Sequence, residues 1–195
     1  MVPLWNWLET EDLTDLGALG TVASLCLVIS GLLRYLQGPL PKRMKRVYRS
    51  FLVLGVAGLI SHWHFSYLTC ILDLTSVLIA ELSYVEVFRM NISSRFEFLM
   101  AISYGALLVA HPLPIYFVIV ALHVRFLFYT VKLLPLIQGK LKLAALTTCG
   151  VLALVCLLLS YNSPYYYVMW HCLGAVFCIG GAFGIELSQE HFKLD

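Results

Sequence analysis

The stretch LGALGTVASLCLVISGLLRYLQGPLPKRMKRVYR, residues 16–49, joins a long apolar segment to a cluster of five basic residues. Similar apolar segments of about 17–20 residues, each long enough to cross a bilayer, follow one another along the chain. The chain is 61% hydrophobic and 12% charged, whereas soluble domains carry about 25% charged residues. This composition leaves no room for a separate water-soluble domain and predicts a single helical membrane domain over residues 1–195.

Basic residues mark alternate connections between the apolar segments. Arg89 and Arg95 follow the third segment, and Lys140 and Lys142 follow the fifth. The connections without any Lys or Arg are residues 64–68, 111–114 and 161–165. Basic connections face the cytoplasm, or the matrix in a mitochondrial membrane; topology therefore explains these charges, and nucleic-acid binding is not indicated. We expect an all-α, polytopic bundle with its N-terminus outside and its C-terminus inside.

Turn residues and changes in hydropathy predict seven transmembrane helices in this bundle. Their approximate ranges are residues 17–37, 47–64, 67–89, 94–110, 114–133, 142–160 and 165–187. Trp5, Trp63 and Trp170 fall near the predicted outer interface, where amphipathic aromatic side chains concentrate. The chain should therefore contact the lipid bilayer, preferably in an endomembrane or the plasma membrane, with the mitochondrial inner membrane left open.

Small residues in the seventh segment suggest close helix packing. Gly180 and Gly184 form a G-x-x-x-G pattern, which lets another helix approach closely. Packing within the bundle explains the pattern, and a contact with another membrane subunit is the alternative. The six cysteines include no C-x-x-C pair, and we expect them to be packing residues. A disulfide between Cys70 and Cys172, near the outer helix ends, is the alternative.

Three ionisable residues lie inside apolar segments at a similar depth from the outer side. His62 ends the second segment, Asp73 lies near the start of the third, and His171 lies near the start of the seventh. Ionisable groups there are costly and usually face a partner or a cavity. If these helices are neighbours, two imidazoles and a carboxylate converge on one metal ion or one water. Alternatively, each histidine hydrogen-bonds a helix end and Asp73 caps or pairs locally.

Glu81 and Arg125 lie nearer the middle of the membrane, and neither has a partner close in sequence. The economical interpretation is an ion pair between the third and fifth segments, because an unpaired charge in hydrocarbon is costly. A proton or ion path is the weaker interpretation, since no chain of acidic residues continues it.

The outer-end residues resemble those of the CREST superfamily of seven-helix membrane proteins, which includes alkaline ceramidases, adiponectin-type receptors, GPI-remodelling lipases and myomaker. Members carry a His at the outer end of helix 2, an Asp near the start of helix 3 and H-x-x-x-H near the start of helix 7. Here Ser61-His62, Asp73 and the sequence YVMWHC at residues 167–172 resemble those motifs. The resemblance implies a site in which three histidines bind zinc and the Asp positions a metal-bound water for amide or ester hydrolysis.

The sequence departs from that pattern at two positions. Tyr167 stands where the first histidine of H-x-x-x-H is expected, so one zinc ligand is missing. Tyrosine is a poor ligand for Zn²⁺ at neutral pH because its pKa is near 10. Gly58 stands where many members carry a serine, although Ser61 is nearby. A site of two histidines with Asp73 and a water stays chemically feasible, with His64 as a substitute donor.

Two functions from different classes follow from these residues. The missing histidine, the missing serine and the lack of loops large enough for a substrate lid favour a non-catalytic structural or assembly component of a membrane complex, without a resident cofactor. The alternative is a zinc-dependent lipid amide or ester hydrolase with its site in the outer leaflet. In that enzyme, His62 and His171 would bind zinc and Asp73, assisted by Ser61, would be the water-positioning base. Zinc would lower the pKa of its bound water to about 7.

Overall fold

The computed structural model of this protein describes residues 14–87, 120, 121, 123, 124, 127, 140–160 and 162–187. Within these residues the helices are α1 (Thr14–Leu36), α2 (Lys42–Trp63), α3 (Tyr67–Val87), α4 (Lys140–Leu159) and α5 (Pro164–Leu187). They confirm that the first, second, third, sixth and seventh predicted segments are helical. The predicted helices at 94–110 and 114–133 lie outside the described residues, except for single helical positions such as His123.

Three of the described helices are long and apolar enough to cross a membrane, by length and composition. These candidate spans are Leu16–Leu36, Tyr67–Tyr84 and Pro164–Glu186. Large apolar side chains such as Ile29, Val155 and Val176 remain exposed on α1, α4 and α5. Exposed apolar surface of this kind suits helices that contact lipid. The described part of the chain is therefore an all-α bundle with the character of an integral membrane protein.

The basic cluster belongs to α2 rather than to a loop, which corrects the predicted start of this helix at residue 47. Gly38 turns the chain with a φ of 135°, and the N–H of Lys45 then donates to the carbonyl oxygen of Pro41 at 3.0 Å. Met44 and Val47 are fully buried in this first part of the helix. Lysine and arginine are good helix formers, so the helix extends beyond its apolar segment once one face is packed.

Close helix packing gives the bundle its shape. α1 packs along α2, α2 packs against α3, and α5 packs against both α4 and α1. A Cβ atom at Gly55 of α2 would lie 2.7 Å from the carbonyl oxygen of Ser24 in α1, and one at Gly180 of α5 would lie 2.7 Å from Leu146 in α4. Gly180 therefore serves packing within the chain.

The direction of the helices decides which residues meet. Ser66 and Thr69 accept hydrogen bonds from each other's backbone N–H groups, at 3.0 and 3.2 Å, and so begin α3 directly after α2. At the far end of α1 and α5, Arg34 pairs with Glu186 at 2.8 Å. The end of α2 consequently lies beside the starts of α1, α3 and α5.

Candidate metal centre

Three helices carry side chains of the metal-ligand type to this end of the bundle. His62 comes from α2, Asp73 from α3 and His171 from α5, and one ligand atom from each lies within 4.8 Å of the other two. Their exposed fractions are 3%, 0% and 7%. The structure thus brings together the three residues that the sequence placed at a similar depth. We call this group the His–Asp–His cluster.

Two side chains approach the same carboxylate oxygen of Asp73. The hydroxyl group of Tyr167 donates a hydrogen bond of 2.7 Å to Oδ2, and Nε2 of His171 lies 2.9 Å from that oxygen. His171 and Asp73 thus form a buried histidine–carboxylate pair. Ser61 Oγ lies 3.5 Å from the Tyr167 hydroxyl. Tyr167 therefore stands between Ser61 and the cluster.

Several other buried polar atoms of the cluster have no hydrogen-bond partner among the described residues. They are Nδ1 and Nε2 of His62 and Oδ1 of Asp73. Leaving such an atom unsatisfied costs about 1–3 kcal/mol. A divalent cation would bind nitrogen and oxygen donors together, and two imidazoles with one carboxylate suit Zn²⁺ and also Fe²⁺. The donor set therefore fits a metal ion.

The spacing of the cluster sets how far it would have to contract around a metal. Ligand atoms about 2.0–2.2 Å from zinc are roughly 3.5 Å apart in a tetrahedral site. The widest separation in the cluster is within 4.8 Å, so its side chains would close by about an ångström. The rings of His62 and His171 already meet edge to face, with centroids 4.8 Å apart.

Helix α1 packs against the cluster where His62 and Gly58 of α2 face it. A Cβ atom at Gly20 would lie 2.5 Å from Cε1 of His62, and one at Gly58 would lie 3.6 Å from Oδ1 of Asp73. The hydroxyl group of Ser24 occupies the space beside Gly58. A serine of α1 therefore stands next to the position where the resemblance predicts a serine on α2. Sequence reasoning missed Ser24, whose only signal was a polar residue within an apolar segment.

A second buried histidine–carboxylate pair lies further along α3. His123 Nδ1 is 3.2 Å from Glu81 Oε1, and His123 Nε2 is 3.4 Å from the carbonyl oxygen of Gly150. The predicted partner, Arg125, has a side chain outside the described residues, and sequence reasoning missed His123. A cavity of ≈ 40 Å³ lies between this pair and His171, among mainly apolar side chains. It is large enough for a water molecule.

Two of the sequence-based alternatives at this end of the bundle do not occur. His64 follows the last residue of α2, is exposed, and does not join the cluster. Cys70 and Cys172 are both free thiols rather than a disulfide. The hydroxyl group of Ser61 donates to the buried sulfur of Cys70 at 3.7 Å instead. The substitute donor and the crosslink are therefore both absent from the site.

The described helices thus combine three candidate membrane spans with a buried group of metal-ligand side chains. No protein-family model, no curated protein and no solved structure matches this chain.

Proposed function

We propose that this chain is an integral membrane protein that binds a divalent metal ion through the His–Asp–His cluster and acts as a non-catalytic structural component of a membrane complex. The observation that carries the proposal is the convergence of three buried side chains of the metal-ligand type, at most 7% exposed, in which both ring nitrogens of His62 and Oδ1 of Asp73 have no hydrogen-bond partner among the described residues. The sequence alone predicted a non-catalytic chain without a cofactor. We now include the metal because it would bind these donor atoms together.

Tyr167 supports a structural rather than a catalytic role. Its side chain is fully buried, and its hydroxyl group holds Oδ2 of Asp73. That carboxylate oxygen is then less available to accept a proton from a reacting water. Gly20 and Ser24 of α1 pack over the opposite side. Structural metal sites are closed, whereas catalytic sites keep an open coordination position. The metal would fasten α2, α3 and α5 together.

A lipid hydrolase is the second candidate, and two observations favour it. The cluster places the Asp73 carboxylate beside two imidazoles, which would leave open coordination positions of the kind that catalytic zinc sites keep, and the cavity of ≈ 40 Å³ borders His171. When bound, zinc would supply a Lewis acid and lower the pKa of a coordinated water. Oδ1 of Asp73 would accept the proton, while Ser61 would act only through Tyr167. The resemblance to ceramidases and GPI-remodelling lipases implies a lipid amide or ester as substrate.

The proposal includes the seven-helix layout with the N-terminus outside, and it includes another membrane subunit as partner. Gly180 is already packed on Leu146 of the same chain. We therefore place the partner on the exposed apolar side chains of α5, such as Val176 and Phe183. Gly184, the residue after Phe183, completes the G-x-x-x-G pattern.

Metal analysis of the full chain in detergent tests the proposal. Zinc and iron would be counted by mass spectrometry in the unmodified protein, in His171→Ala, and in His64→Ala as the matched control. We expect near-stoichiometric metal in the unmodified protein and in His64→Ala, and loss of metal in His171→Ala. A chelator should lower the thermal midpoint of the unmodified protein and leave that of His171→Ala unchanged.

The same preparations would be incubated with a ceramide and with an acylated GPI lipid. No turnover is expected for a structural metal. Turnover that disappears in His171→Ala and persists in His64→Ala would replace the structural role with the hydrolase. Unmodified protein that holds no metal, and gains none when zinc is added, would overturn both candidates.

A further inference from the structure

Four basic side chains form a stripe along one face of α2. Lys42, Lys45, Arg46 and Arg49 are spaced i, i+3, i+4 and i+7, which places them on the same side of the helix. They line a groove of ≈ 450 Å³ between the start of α2 and the later part of α3. Arg43 belongs to the same run but does not line the groove. The described lining residues include no acidic side chain.

This arrangement of charge is unfavourable for the helix alone. Like charges at i and i+4 repel each other, and a helix N-terminus favours negative rather than positive groups. The first turn of α2 contains no acidic residue, and Pro41 provides no side-chain cap. A bound anion would offset the repulsion and also interact favourably with the helix N-terminus.

The groove is charged at one end and apolar at the other. Val53 of α2 and Ile79 of α3 line its apolar part, and Val53 is 47% exposed. Arg49 is held in position by Tyr35, because its guanidinium lies 5.8 Å from the centre of the Tyr35 ring and its Nη2 lies 3.5 Å from the hydroxyl oxygen. This shape suits a phosphate group that is attached to an acyl chain.

We propose that this groove binds the phosphate-bearing headgroup of an anionic lipid, with Lys45 and Arg49 at the phosphate and the acyl chains beside Val53 and Ile79. The binding site is separate from the His–Asp–His cluster and does not depend on the proposed function. A soluble phosphate compound offers the same charge, but it would leave the apolar part of the groove uncovered. Each basic group near an anionic surface contributes about fivefold to affinity.

Binding would be measured by thermophoresis of the full chain in detergent. The probes are dioctanoyl phosphatidic acid, dioctanoyl phosphatidylcholine and inorganic phosphate. The variants are Lys45→Gln and, as the matched control, Arg43→Gln, since each removes one positive charge from the same part of α2. We expect saturable binding of phosphatidic acid, weaker binding of the other two probes, and about a fivefold loss of affinity in Lys45→Gln. Arg43→Gln should change affinity less than about twofold.

Each contrary result has a distinct meaning. Equal losses in Lys45→Gln and Arg43→Gln would show that net charge alone attracts the lipid, which overturns the groove. Inorganic phosphate that binds as tightly as phosphatidic acid would assign the groove to soluble phosphate compounds and overturn the lipid. Failure of phosphatidic acid to bind the unmodified chain would overturn the proposal entirely.

Discussion

The hydroxyl group of Tyr167 donates a 2.7 Å hydrogen bond to Oδ2 of Asp73, and both side chains are fully buried. Tyr167 occupies the position where the CREST resemblance predicts a metal-binding histidine. A carboxylate buried without a donor is costly. The residue at the position where the resemblance predicts a third histidine therefore supplies the carboxylate with a hydrogen bond.

Replacing Tyr167 by phenylalanine should destabilise the protein. Tyr167→Phe keeps a ring in the packing around His171 but removes the donor to Asp73. Because hydrogen bonds to charged groups contribute about 1.5–3 kcal/mol, we expect the free energy of unfolding to fall by about that amount. Unfolding by SDS in mixed micelles would measure it. The control is Tyr165→Phe, whose side chain is 52% exposed and should change stability by about 0.5 kcal/mol at most. Equal effects would contradict the role given to the Tyr167 hydroxyl.

Replacing Tyr167 by histidine should strengthen metal binding. Tyr167→His places a second imidazole four residues before His171, on the same face of α5. The ring centroids of Tyr167 and His171 are already 4.8 Å apart. We expect the affinity for zinc to rise by about tenfold or more, measured by competition with a fluorescent chelator. Tyr166→His is the control, because the adjacent position lies on a different face. No gain in Tyr167→His would mean that the position is too far from the metal.

Depth within the bundle was predictable from the sequence, because each helical residue advances the chain by about 1.5 Å. Counting along the apolar segments therefore placed His62, Asp73 and His171 at one level. Rotation of each helix was not predictable in this way. In an ideal helix, positions two residues apart differ by only about 3 Å in depth but by about 200° around the axis. Depth alone suggested Arg125 for Glu81, a pair that lies outside the described residues, and it did not suggest the observed contact of Glu81 with His123.

Coverage of the cluster by α1 was also beyond sequence reasoning. In the sequence, Gly20 and Ser24 are simply small residues in an apolar segment. They could pack against any neighbouring helix, and the sequence does not say which. Only the packing of α1 along α2 places Gly20 over His62 and Ser24 beside Gly58. The exact start of α2 was missed for a related reason. Hydropathy marks where a helix becomes apolar, whereas the buried side chain of Met44 lies before that point.

The effects of substituting Glu81 and His123 on the free energy of unfolding should depend on each other. His123→Ala would leave the carboxyl group of Glu81 buried without its partner, which typically costs about 3–5 kcal/mol. Adding Glu81→Gln removes that charge, so the double variant should be more stable than His123→Ala alone. Unfolding in mixed micelles gives the four free energies of the double-mutant cycle. Strictly additive effects of the two substitutions would show that the pair does not interact.

The orientation in the membrane can be checked by labelling single cysteines. After the native cysteines are replaced, Ser163→Cys should react with an impermeant maleimide in sealed vesicles whose outer face is that of the predicted N-terminus. Lys45→Cys should react only after permeabilisation, because the positive-inside bias places α2's basic start inside. Labelling of both positions from the same side would contradict the predicted topology.

The contact between α1 and His62 allows a test of whether His62 binds the metal or only packs against α1. A Cβ atom at Gly20 would lie 2.5 Å from Cε1 of His62, so Gly20→Ala must displace either the ring or α1. Gly174 of α5 is the matched control, since a Cβ atom there would meet no heavy atom of the described residues within 4 Å. Alanine in a helix is more favourable than glycine by about 0.5–1 kcal/mol. Gly174→Ala should therefore be at least as stable as the unmodified protein, and its metal content should not change.

If His62 binds the metal, Gly20→Ala should weaken zinc binding by about tenfold or more, as for other substitutions that shift a ligand. Chelator competition would measure the affinity, and mixed-micelle unfolding would measure stability in the same preparations. A loss of stability in Gly20→Ala with unchanged zinc affinity would show that His62 is only a packing residue. In that case Asp73 and His171 would be too few donors for a metal site, because structural and catalytic zinc centres use at least three protein ligands.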